Sequence, residues 1–106
     1  MQVLIQYTVK REEVPAHLEL VGEVYADLRR LAPVGLGCAT YQLEDGASFV
    51  EVLTGPTGPG PLAASAAFQR FRSTLDARCE RPPVLSELRE VGSYTPAPLS
   101  AGQGPA

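Results

Sequence analysis

The sequence predicts a small α+β domain with elements in the order β-α-β-β-α-β. Three observations predict it. A period-2 apolar pattern opens the chain, two longer segments repeat apolar residues every three or four positions, and an Asp-Gly pair separates two β-rich runs.

Residues 3–9 read as the first strand, with Val3, Ile5, Tyr7 and Val9 alternating against Leu4, Gln6 and Thr8. Residues 12–31 read as a helix whose stripe is Val14, Leu18, Val21, Tyr25, Leu28 and Ala32, widened by Leu20, Val24 and Leu31. Glu12, Glu13 and Pro15 suit its start, Arg29 and Arg30 suit its last turn, and Pro33 with Gly35 ends it. Residues 36–43 and 47–54 form a hairpin, with Asp45 and Gly46 expected as the two central residues of a type I′ turn. That turn sets Gln42 opposite Phe49, Thr40 opposite Glu51 and Cys38 opposite Leu53. On the other side it pairs Leu43 with Ser48, Tyr41 with Val50 and Ala39 with Val52.

Residues 55–61, GPTGPGP, read as a loop. A second helix is expected from Ser65, a good N-cap, to Cys79, with Phe68, Phe71, Leu75 and Cys79 as its stripe and Pro82-Pro83 as its stop. Residues 84–94 read as the last strand. The chain thus divides into one domain, residues 1–95, and a Pro/Gly/Ala-rich tail, residues 96–106, expected to be disordered.

Composition removes several function classes. Nine basic residues against twelve acidic ones, net charge −3, argue against a nucleic-acid partner. The strand at residues 47–54 also lacks the paired aromatics of an RNA-recognition motif. The prolines of GPTGPGP remove the N–H donors that a phosphate-binding loop needs. No apolar run approaches the roughly 20 residues of a membrane helix, and no export signal is visible, so a cytoplasmic location is the expectation. One Lys beside eight Arg, with abundant Ala, Gly and Pro, points to a GC-rich bacterial genome. Cys38 and Cys79 read as small buried hydrophobes, with a disulfide or a reactive thiol as the alternatives, and no Cys/His spacing suggests a metal.

Two β-α-β halves joined by a tight hairpin make a split β-α-β, or ferredoxin-like, arrangement: a four-stranded antiparallel sheet with both helices on one face. The more apolar set, Val3, Ile5, Val9, Ala39, Val50 and Val52, is expected under the helices. Leu4, Gln6, Thr8, Cys38, Thr40, Gln42, Phe49, Glu51 and Leu53 then share the far face, too apolar to lie wholly in water. A second copy packing sheet to sheet would cover it. The expected partner is therefore the chain itself, as a homodimer with Leu4, Gln6, Thr40, Phe49, Glu51, Leu53 and Arg89 at the interface.

The opening VLIQYTV, the hairpin ATYQLEDGASFVEVL, the helix AFQRFRSTL and the closing LREVGSY, in this order over residues 2–95, resemble the dimeric α/β barrel proteins. Within them the chain is most similar to the small antibiotic-biosynthesis-monooxygenase-like group. The resemblance implies a homodimer and, among several activities of the superfamily, cofactor-independent oxygenation of aromatic compounds. It implies a cavity between sheet and helices, under the loop before the second helix. Haem-degrading relatives use an Asn, a Trp and a helix-borne His. This chain has neither Asn nor Trp, and its single His lies on the first helix. Tyr, Arg, Glu and Gln remain for polar work.

On that layout Tyr7, Tyr25, Tyr41, Phe68 and Phe71 converge between sheet and helices, with Arg72 beside them. They read either as plain core or as the lining of a pocket for a small aromatic or phenolic ligand, lidded by the Pro/Gly loop. Glu51, mid-strand, needs a partner or a proton. It reads as a salt bridge to Arg89 or Arg72, as a ligand-binding group, or as an exposed edge residue. His17 reads as a helix-edge residue or as a general base. No catalytic residue and no cofactor is assigned. The functional expectation is a small-molecule binder of the cofactor-independent monooxygenase type. The alternative is a non-catalytic homodimeric scaffold or ligand sensor.

Overall fold

A computed structural model describes residues 1–55 and 60–97 of the chain. The strands are β1 (Gln2–Val9), β2 (Gly37–Gln42), β3 (Ser48–Thr54) and β4 (Cys79–Leu88), and the helices are α1 (Val14–Leu31), α2 (Ala66–Ser73) and α3 (Leu75–Arg78). The four strands form one antiparallel sheet in the order β2-β3-β1-β4, the expected ferredoxin-like topology. The Pro/Gly lid falls largely on residues 56–59 and the tail on residues 98–106, outside the described residues.

The hairpin has the expected register, Gln42 to Phe49 through Cys38 to Leu53. Its turn differs by one residue. Gly46 N–H donates to the Leu43 carbonyl at 3.0 Å, so Glu44 and Asp45 are the central pair, and Gly46 follows them with φ +76°. A type I′ turn needs positive φ at both central residues, whereas only Gly46 has it here. Asp45 caps the turn: its Oδ1 accepts from the Ala47 and Ser48 N–H groups at 2.9 and 2.8 Å. The aspartate is therefore used as a side-chain acceptor, and these bonds, with Ser48 foremost, hold its carboxyl down near 2.

The faces are assigned otherwise than expected. β1 pairs with β3 so that Tyr7 lies opposite Phe49, Ile5 opposite Glu51 and Val3 opposite Leu53. Odd positions of both strands therefore share a face, and it is the face under the helices: Val3, Tyr7, Val9, Phe49, Glu51 and Leu53 are all buried. Thr40 and Cys38, their β2 partners, lie on the same side. Ala39, Val50 and Val52, expected beneath the helices, lie on the far face with Leu4 and Gln6. Alternation within a strand states which residues share a face, but the pairing of distant strands decides which faces coincide.

Helix α1 keeps most of its expected stripe, with Val14, Leu20, Val21 and Tyr25 packed against the core, but His17 takes the inward place expected for Leu18. His17, Val24 and Leu28 are its buried positions, while Leu18 is 44% exposed. Both tracks satisfy a spacing of three or four, and contact with the sheet selects the one through His17. Ser65 caps α2 as expected, its Oγ accepting from Phe68 N–H at 3.0 Å. The helix then breaks at Thr74, turns once more through α3, and gives way to strand at Cys79. Pro82-Pro83 does not end a helix. It lies inside β4, an edge strand, where the pairing with β1 skips one residue between Gln6 and Thr8. A proline pair without N–H donors is tolerated there because an edge strand needs partners on one side only. The strand ends at Leu88, leaving Arg89 and Tyr94 beyond it.

Candidate functional site

Strand parity and helix break together build the site. On the helix-covered face, Leu85, Ile5, Glu51 and Thr40 form one row across β4, β1, β3 and β2. Over the β4 side of this row, α2 leaves a cleft of about 390 Å³. Its walls are Ile5, Leu53, Leu75 and Leu85 with the rings of Phe68 and Phe71, and Gln69 and Arg72 bring polar groups to it. Glu51 is the acid in that lining. The volume suits a small organic ligand held by a few polar groups in an apolar shell. On the β2 side of Glu51 lies a second, much smaller void of about 10 Å³, room for a single water-sized molecule, against Val21, Val24, Tyr25 and Thr40.

Glu51 is 8% exposed. Burial raises its carboxyl above the ordinary range, opposed by a hydrogen bond from Tyr7 and by the charge of Arg72. Behind it runs a chain of buried polar groups whose direction the donors dictate. Arg78 Nε–H donates to His17 Nδ1 at 3.1 Å. A guanidinium cannot accept, so Nδ1 carries the lone pair and the neutral ring holds its proton on Nε2. That Nε2 lies 2.9 Å from the Tyr7 hydroxyl, which in turn donates to Glu51 Oε2 at 3.0 Å. Burial, helped by the charge of Arg78, holds His17 down to about 4, in keeping with a neutral imidazole. Burial and Glu51 push the Tyr7 hydroxyl far up, so it serves as a donor and never as a phenolate.

The chain runs from a cation, Arg78, to a titratable acid, Glu51. Arg78, 5% exposed, also bonds Thr74 Oγ1 and the Phe71 carbonyl, and its guanidinium lies 5.3 Å from the Phe71 ring centre. No ion pair reaches it among the described residues. Aromatic edges close the space around the chain: His17 sits 4.6 Å from Phe49, which stacks on Tyr7 at 5.7 Å.

The expected pocket residues divide. Phe68, Phe71 and Arg72 line the cleft with Glu51 and Leu53. Tyr25 lines the small void, its hydroxyl bonded to Thr40 Oγ1 at 2.7 Å and to Cys38 Sγ at 3.2 Å. Tyr7 stands behind Glu51. Tyr41 does not converge on them, being 58% exposed on the far face. Of the expected interface set, Leu4 and Gln6 lie on the far face. Phe49, Glu51, Leu53 and Thr40 lie beneath the helices, because β1 pairs with β3 in the opposite parity. Arg89 is exposed beyond β4, and among the described residues it makes no ion pair with Glu51. Burial pushes both thiols, Cys38 and Cys79, up, so neither is a thiolate nucleophile. Among the described residues no cluster of His, Cys, Asp or Glu is placed to hold a metal, and no helix is long and apolar enough to cross a membrane.

Arg78 was not foreseen as part of the site. A signal existed: it stands seven residues after Phe71 and three after Leu75, on the apolar track of its helices. His17 was foreseen at a helix edge, where the structure buries it completely.

No protein-family model and no curated protein matches the chain. Solved structures do. An antibiotic biosynthesis monooxygenase superposes with a TM-score of 0.72 at 19% identity, covering 86% of this chain and 98% of its own. A Mycobacterium tuberculosis protein gives 0.69 at 16% identity over 89% and 97%. A Nitrosomonas europaea protein of unknown function gives 0.68 at 10% identity over 92% and 94%. The chain shares the ferredoxin-like fold of these structures. At these identities the likeness is one of fold, and the chemistry of this member of the fold rests on its own residues.

Proposed function

We propose that the chain binds a small aromatic or phenolic molecule in the cleft beside Glu51 and oxygenates it as a cofactor-independent monooxygenase. The observation that carries this reading is Glu51 itself, a buried carboxylate that lines an apolar cleft walled by Phe68 and Phe71. A carboxyl raised by burial is a stronger base than one in water, closer to a phenol in proton affinity. It would take the phenolic proton, Arg72 would attract the resulting phenolate, and the rings would hold the substrate plane. The electron-rich phenolate would react with dioxygen. One oxygen atom stays on the ring as a quinone carbonyl, and the other leaves as water with the two hydrogens removed. Fold likeness to an antibiotic biosynthesis monooxygenase supports the same reading.

The test is a thermal-shift and oxygen-electrode panel of naphthols, hydroquinones and anthrones. A phenol that raises the melting temperature and consumes oxygen with wild type, but consumes none with Glu51→Gln, supports the reading. Binding without oxygen uptake reduces it to a ligand-binding module. No binding by any member of the panel ends it.

A second reading, a homodimer whose role need not be catalytic, is favoured by the far face of the sheet. There Val84, Gln6, Val50 and Tyr41 form one row and Ser86, Leu4, Val52 and Ala39 the next. Val84 and Tyr41 are 62% and 58% exposed, and among the described residues no element covers them. An apolar sheet face of this kind fits a second copy packed sheet to sheet. The interface would then use Leu4, Tyr41, Val50 and Val52.

A further inference from the structure

Arg78 and Glu51, a cation and an acid, are both nearly buried, and neither forms an ion pair among the described residues. A buried charge without a counter-charge is costly enough that such groups are as a rule paired or neutralised. Here three hydrogen bonds, of 3.1, 2.9 and 3.0 Å, lead from one charge to the other through two neutral rings. Every dipole along the way points from the cation to the anion, because each group has a single arrangement of protons that satisfies both neighbours.

We propose that Arg78 is the counter-charge of Glu51, acting through His17 and Tyr7 as positioning residues that keep the carboxylate available to a ligand. The inference deepens the reading of Glu51 as a proton acceptor, and its main test uses no ligand. The chain explains why a histidine is buried with no contact to either cavity. The imidazole spans the gap that a direct Arg–Glu contact would close. Glu51 thereby keeps a face on the cleft while its charge is compensated from behind. A carboxylate bonded directly to Arg78 would be held by the cation and drawn away from the ligand. Other groups also act on Glu51. Arg72 from α2 favours its charged form, and Tyr25, Cys38 and Cys79 lie near enough to sense that charge. None of them belongs to the chain. At its other end Arg78 also feels Cys79 and the charge of Glu13, with which it forms no ion pair.

The experiment is the titration of Glu51 by carbon-13 NMR of glutamate-labelled full-length protein, assigned by loss of its signal in Glu51→Gln. His17→Phe and Arg78→Met leave every direct contact of Glu51 in place. Arg78→Met is expected to raise its midpoint by about one pH unit, as removal of a cation from a partly desolvated interior should, and His17→Phe, which breaks the chain but keeps the cation, to raise it by a smaller amount. Arg78→Lys, which keeps the charge, is expected to restore most of the difference. A midpoint unmoved in His17→Phe overturns the inference, as does one equally raised in Arg78→Lys and Arg78→Met. Should Arg78→Met fail to fold, His17→Phe and Arg78→Lys decide between these outcomes. A shifted midpoint in a protein that binds no phenol would uphold the chain and remove only the oxygenase reading.

Discussion

The Tyr7 hydroxyl donates to Glu51 Oε2 at 3.0 Å, joining residues 44 positions apart on adjacent strands. The bond sits where the helix-covered face turns from packed core to open cleft. On one side Tyr7 stacks with Phe49 in the core, and on the other Glu51 meets the cleft. Removing only that hydroxyl tests its worth. Tyr7→Phe leaves Glu51 and His17 Nε2–H each short of a partner, so it is expected to cost about 1–3 kcal/mol, although the ring still fills its space. Urea denaturation of the two proteins measures it, and equal midpoints would refute the assignment.

The neutral His17 gives stability a pH dependence of definite sign. Its ordinary value is near 6.5 and the fold holds it at about 4. Below pH 6.5 the unfolded chain binds a proton that the native ring refuses. The contribution is therefore complete above 6.5 and is lost as pH falls toward 4, about 3 kcal/mol in all. Glu51 acts in the opposite sense. Its raised carboxyl contributes below the ordinary carboxylate range, and that contribution is lost as pH rises through its native value. His17→Phe is expected to flatten the acid side of the profile between pH 6.5 and 4. An unaltered slope would mean that His17 is not the group responsible.

Phe49 and Val52 lie three positions apart in β3, on opposite faces, and should respond differently to substitution. Phe49 is 1% exposed in the core, so Phe49→Ala is expected to cost about 3–5 kcal/mol whatever the state of assembly. Val52→Glu places a charge on the far face. It is expected to leave the fold intact and halve the mass measured by light scattering or analytical ultracentrifugation. A wild type that is already monomeric at micromolar concentration rules out the homodimer.

Gly46 follows the hairpin's central pair at φ +76°, and a β-carbon there would meet nothing nearer than Arg11 Nη1 at 3.9 Å. Space is available, so the cost of Gly46→Ala is conformational, about 1 kcal/mol. A thermal melt showing no loss would place the turn elsewhere.

Much of the local structure was legible in the sequence because it depends on neighbours along the chain. The strand at β1, the length of α1, the Ser65 cap and the β2–β3 register all follow from periodicity and short-range polar chemistry. Element order then restricts the topology, because β-α-β units and a tight hairpin connect in few ways. The Asp45 turn shows the limit even at short range. The dipeptide correctly marked a hairpin, yet Asp45 gained more as an acceptor for Ala47 and Ser48 than as a central residue of positive φ.

Tertiary structure decided the site. Period 2 is symmetric about the sheet, so alternation alone could not state whether Phe49 and Glu51 share a side with Tyr7. The long-range pairing of β1 with β3 does. Two tracks on α1 met the helical spacing, and only contact with Phe49 and Tyr7 turned His17 inward. Arg78 reaches His17 because α2 breaks at Thr74 and the chain turns back into β4, a bend that Pro82-Pro83 did not announce. The amino acids of the site were therefore visible from the start. Their convergence was not, since a contact between Tyr7 and Glu51 or between His17 and Arg78 is a property of the closed fold and of no local segment.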